Sequence, residues 1–198
     1  MSSATLIRWS GAVTVLAGVV YILSRLLHPS GDDAAAVLNS PWMAIHTGMM
    51  LSALLLLFGL MGMYARQRER AGTLGLIGFV VAFLGTGLYA GFMYHEAYIS
   101  PVLAIEAPAL LGEGGPLFAG PTFLAFSLTF IIFLLGYVLF GIATIRAGVL
   151  PRWGATLAIV GAVPISLVPF FPFVVVTLGG VVFGAGVVWL GYALWSGD

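Results

Sequence analysis

The chain has 198 residues, 61% of them hydrophobic and only 7% charged, with a mean hydropathy of +1.13. A soluble domain carries about 25% charged residues, so the polar surface needed to cover a water-soluble globule is missing. Formal net charge is +0 with 7 cations, all Arg, which excludes a basic nucleic-acid face; cysteine is absent, which excludes disulfides and thiolate metal sites.

Six apolar stretches, each about long enough to cross a bilayer, follow in order. The first covers residues 5–27. Arg8, an apolar run and the later Ala34-Ala35-Ala36 resemble a signal peptide, but the run continues to Leu27 and reads as a span. Arg25 lies one turn inside its far end, and His28-Pro29 close it. Ser40-Pro41 then supplies an N-cap and a proline at the first helical position, opening a second span over 41–64. His46 falls about 8 Å below that start at 1.5 Å per residue. Arg66, Arg68 and Arg70 precede the third span, 72–98, whose last turns carry His95 and Glu96 between Tyr94 and Tyr98. Ser100-Pro101 repeats the helix-start signal for a short apolar helix through Ala107, which Pro108 and the Gly-rich segment around Glu113 break. Residues 99–120 are expected to form a lid-like element over the outer mouth or an ordinary interfacial helix. The remaining spans are 121–145, 153–171 and 173–195, with a kink expected at Pro164.

This predicts an all-α fold, a six-transmembrane-helix bundle forming one integral membrane domain over 1–198. Arg8, Arg66, Arg68, Arg70, Arg146 and Arg152 then share one side, and Asp32, Asp33, Glu96, Glu106 and Glu113 the other. The positive-inside rule places the N and C termini in the cytoplasm. Arg8-Trp9-Ser10-Gly11-Ala12 matches Arg152-Trp153-Gly154-Ala155, with Gly18 and Gly161 at the same later step, so three in-out-in hairpin repeats compete with mere compositional likeness. The pairs Gly87/Gly91 and Gly180/Gly184 are expected to pack helices within one bundle rather than to form a dimer motif.

The three histidines fall in the outer half of three different helices, with Arg25 and Glu96 nearby. Ionisable groups at such depth need partners and should face inward. The plain reading is structural: hydrogen-bonded or headgroup-facing imidazoles. The functional reading is a site for haem or a transition metal. His46 and His95 lead as ligands, His28 comes third, and Arg25 would meet a haem propionate. His28, His46 and His95 with Glu96 or Glu106 would suit zinc with an open water position. Met43, Met49, Met50 and Met93 near the histidines would suit copper, although methionine is also ordinary packing. No His-Glu-x-x-His spacing, nucleophile elbow or phosphate loop is present. No acid or Arg lies near the midplane, which argues against a proton-coupled transporter. The competing expectation is a non-catalytic module, surrounded by membrane lipids, that binds a lipid, a small apolar ligand or a partner membrane protein, or forms a homo-oligomer. A metal-dependent hydrolase comes third, so enzymatic activity stays open.

His28-Pro29, Trp42-x-x-x-His46, Gly59-Leu60-x-Gly62-x-Tyr64, Leu74-Gly75-x-x-Gly78-Phe79, Arg146-Ala147-Gly148-Val149-Leu150-Pro151-Arg152-Trp153 and Leu190-Gly191-Tyr192-Ala193-Leu194-Trp195 together resemble a group of small multi-pass membrane proteins of high-GC bacteria. The resemblance covers most of the chain. It implies a bacterial inner-membrane protein and assigns no site.

Overall fold

The computed structural model describes residues 2–112 and 114–197, so Glu113 of the acidic set lies outside the described residues. Within them every regular element is helical: α1 Ser3–Leu27, α2 Ala34–Leu38, α3 Trp42–Tyr94, α4 Ser100–Glu106, α5 Gly120–Ala147, α6 Arg152–Ser166 and α7 Phe173–Ser196. Among the described residues, four helices are long and apolar enough to cross a membrane: Ser3–Leu27, Trp42–Glu106, Gly120–Ala147 and Phe173–Ser196.

Helix α3 breaks at Gly72, where φ is +59° and ψ −160°. That left-handed φ suits a residue without Cβ. The chain turns back there. Tyr64 stacks on Phe79 at 4.7 Å, and the Tyr89 hydroxyl reaches Met49 Sδ at 3.7 Å. The sequence predicts a connection between the spans before residue 72, yet helix continues through it. Ala65 to Ala71 are good helix formers, and Gln67 is buried, donating from Nε2 to Thr144 Oγ1 at 2.9 Å.

Each rod packs antiparallel to the next. Ser52 Oγ donates to the Ala17 carbonyl at 2.8 Å, joining α1 to the first arm of α3. Thr86 Oγ1 and the Tyr137 hydroxyl, 2.9 Å apart, join the second arm to α5. Gly141 of α5 faces Ile159 of α6. Helix α7 lies between α6 and α1 and closes the ring. Glycine makes this closure possible. A Cβ on Gly11 or Gly18 of α1 would stand 2.7 or 2.8 Å from the carbonyls of Gly191 or Gly184, and one on Gly186 would stand 2.6 Å from that of Gly154. The matched glycines of α1 and α6 therefore face opposite sides of the same helix. That is not the equivalent placement a three-hairpin repeat would give.

Tyr21, Tyr89, Phe133, Tyr137 and Phe183 fill the centre in edge-to-face and tilted contacts. Large apolar side chains such as Leu16, Leu23, Phe58, Leu84, Leu124 and Leu178 point outward, while Thr14, Ser52, Thr86 and Thr144 are buried. This polarity suits a lipid surround. Two local expectations are corrected. Gly87 and Gly91 have nothing within 4 Å of an added Cβ, so they do not pack the bundle, whereas Gly180 and Gly184 meet Arg25 and Ile22. Helix α6 stops at Ser166, not at 171, because Pro164 weakens its last turn and Pro169 bars continuation.

The two ends of the ring differ. At one, Arg8 lies over Trp195 at 4.8 Å, and Arg66 donates to the Gly197 carbonyl at 3.3 Å. At the other, α2 and α4 close on Trp42, and Val37, Trp42 and Ala104 form a small buried cluster. Residues 99–120 thus include a docked helix, with Ser100 and Ala104 buried beneath it.

Candidate functional site

The site is built where α1 ends. Pro29 prevents further helix, and His28 takes an extended backbone (φ −69°, ψ 131°) that turns its ring across the bundle. His28 Nδ1 lies 2.7 Å from the Pro29 carbonyl, and its Nε2 lies 3.2 Å from Nε2 of His46. His46 is 2% exposed. Its Nδ1 is 2.9 Å from the Trp42 carbonyl one turn earlier, and its ring stacks on the Trp42 indole at 4.1 Å.

Carbonyl oxygens only accept, so each Nδ1 must carry the hydrogen. In the neutral rings both Nε2 atoms are then bare acceptors, 3.2 Å apart. Burial pushes the His28 ring down to about 3, with the nearby Arg25 charge acting in the same direction, so it is neutral at pH 7. Two lone pairs at that separation repel unless a proton or another Lewis acid is shared by them. The pair is therefore a donor set suited to a Lewis acid.

Trp42 ties this pair to a second cluster. Its Nε1–H donates to the Glu96 carbonyl at 2.7 Å. Residues His95–Ile99 form one wide π-type turn, in which the Ser100 N–H bonds the His95 carbonyl. The next donor in that ladder would belong to residue 101, which is proline and has none. Trp42 supplies it instead. The Glu96 carboxylate accepts from Ser100 Oγ at 3.0 Å and lies 3.5 Å from His95 Nδ1.

The structure thus brings His28 to His46, and His95 to Glu96. Among the described residues no three His, Cys, Asp or Glu side chains form a metal-holding group. A haem held by His46 and His95 would have to displace the His28 ring from His46 Nε2. Arg25 is 8% exposed, lies between α1 and α7, and donates from Nη2 to Thr177 Oγ1 at 3.4 Å. Sequence reasoning missed Trp42, Ser100 and Thr177 as site residues. The one-turn spacing of Trp42 and His46 was the available signal for the first; nothing signalled Thr177.

Beside Trp42 an open groove of about 730 Å³ runs along the first arm of α3, lined by Val37, Leu38, Met43, Leu51, Tyr98 and Pro101 among others. Thr47 Oγ1 donates to the Tyr98 hydroxyl at 3.1 Å within this lining. Comparison with protein-family models, curated proteins and solved structures finds no match.

Proposed function

We propose that this chain is an integral protein of a bacterial inner membrane, crossing it six times with both termini cytoplasmic, and that it binds a transition-metal ion through His28 and His46. The topology is supported by the outward apolar side chains and by the antiparallel rods that set Arg8, Arg66 and the last turn of α7 at one end. Six spans count both arms of α3 and the short α6.

The observation that carries the metal reading is the Nε2–Nε2 approach of 3.2 Å with both Nδ1 atoms already committed to carbonyls. Two nitrogens on a tetrahedral ion with bonds of about 2.0 Å stand about 3.3 Å apart. Imidazole suits zinc, copper, iron and nickel, and carbonyl-anchored Nδ1–H groups are the usual way a metal-binding imidazole is oriented. Two protein ligands leave coordination positions for an outside ligand.

The test is metal analysis of purified protein, followed by Zn(II) and Cu(I) titration after chelation. One ion per chain, lost in both His28→Ala and His46→Ala, is expected. Wild-type protein that neither retains nor rebinds an ion refutes the reading, and a Soret band lost with His95→Ala would assign haem instead. A second reading, binding of a lipid or small apolar ligand, is favoured by the groove beside Trp42. Under it, His46→Ala keeps its ligand and Leu51→Trp, which fills the groove, loses it.

A further inference from the structure

Arg25 is a buried cation with no ion-paired anion among the described residues. Burying an ionised group is costly unless it is paired and hydrogen-bonded. Its one hydrogen bond is the long one to Thr177, and its Nε has no partner among the described residues. No ion pair joins it to Asp33, Glu96 or Glu106. Its stem packs against α7 at Gly180. A Cβ on Gly180 would stand 2.7 Å from Arg25 Cγ, so the glycine opposite makes the burial possible.

The electrostatics of the helix ends sharpen this. Arg25 sits in the last turn of α1, whose carbonyl end favours a cation. The same guanidinium lies 5.9 Å from the Phe173 ring and bonds Thr177, both in the opening turns of α7. That end has no side-chain cap, and the Phe173 and Val174 N–H groups have no acceptor among the described residues. The negative end of α1 and the positive end of α7 lie side by side and cancel to first order. The full charge of Arg25 is left over beside the opening turns of α7. Guanidinium plus an uncapped helix start is the chemistry that holds an oxyanion.

We infer that Arg25, Thr177 and the start of α7 form a binding site for a phosphate-class oxyanion, either free phosphate or the phosphate of an anionic lipid headgroup. The site is separate from the metal reading, and its test uses chelated, metal-free protein. In phosphate-free maltoside micelles, inorganic phosphate is titrated by calorimetry. In a parallel arm, phosphatidylglycerol retained from nanodiscs is counted by native mass spectrometry.

Arg25→Gln should weaken phosphate binding, or phosphatidylglycerol retention, by about 10-fold or more, the factor for losing one charge-assisted hydrogen bond. Arg25→Lys keeps the charge without the planar fork and should fall between; it replaces Arg25→Gln with the same criterion if that variant fails to fold. Thr177→Val should weaken binding less. Phosphate binding identifies the free ion, and retention of phosphatidylglycerol alone identifies the headgroup; either supports the site. It is overturned if wild-type protein takes neither, or if the Arg25 variant binds as wild type does. Loss of metal binding with phosphate binding intact would sink only the metal reading, and the reverse only this one.

Discussion

Trp42→Phe separates two roles that one side chain combines. The phenyl ring can still lie against the His46 imidazole, but the donor to the Glu96 carbonyl disappears. That carbonyl has no substitute, because residue 101 is a proline and the Ser100 N–H is already used by His95. Trp42 is 2% exposed, so water cannot easily take the donor's place. Leaving a buried carbonyl unsatisfied costs about 1–3 kcal/mol, and the lost indole area adds roughly 1 kcal/mol. The expected loss is therefore about 2–4 kcal/mol, measured as unfolding in mixed micelles of rising dodecyl sulfate fraction and followed by circular dichroism. Pro101→Ala restores a backbone N–H two residues from the turn's end. In the Trp42→Phe background it should recover about 1 kcal/mol, a positive coupling in a double-mutant cycle. A Trp42→Phe variant within about 0.5 kcal/mol of wild type, or a double variant no more stable than the single, would refute the account of this turn.

Other expectations follow from the same contacts. Gly18→Ala places a methyl 2.8 Å from the Gly184 carbonyl and should cost about 1–3 kcal/mol, whereas Gly87→Ala meets nothing and should gain up to about 1 kcal/mol from helix propensity, both in the same unfolding assay. Protonation gives a third. The His28 ring titrates at about 3 when folded, against 6.5 when unfolded, so between those values the unfolded chain holds more protons. Stability of metal-free protein should be full above pH 6.5 and fall as pH drops toward 3, by at most about 1.4 kcal/mol per pH unit for one group, and His28→Gln should flatten that slope.

The rods were legible because apolar length and Arg placement survive any detail of packing. Expected spans 121–145 and 173–195 meet α5 and α7 within two residues at each end. Boundaries failed where one residue overruled composition. The charged stretch 65–71 resembles a loop, but burial of Gln67 against Thr144 keeps it helical up to Gly72. Pro164 and Pro169 shorten α6 in a segment that hydropathy alone extends. Of the candidate site, depth was readable and rotation was not. Counting from Pro41 places His46 at the right level, yet His28 stands outside the helical repeat on extended backbone. Its direction depends on one ψ angle set by Pro29, and that angle decides that it meets His46.

The glycine seams on α7 have a consequence for assembly. The first rod of the chain finds its closest backbone neighbour in the last one, with every other segment lying between them in sequence. Until α7 inserts, α1 and α6 present bare carbonyl tracks with nothing seated on them, and the barrel of rods stays open along one stave. Contacts this remote in sequence form late and slow the approach to the native state. Losing the final helix should therefore leave an unclosed intermediate that quality-control proteases can grip, instead of a smaller but finished bundle.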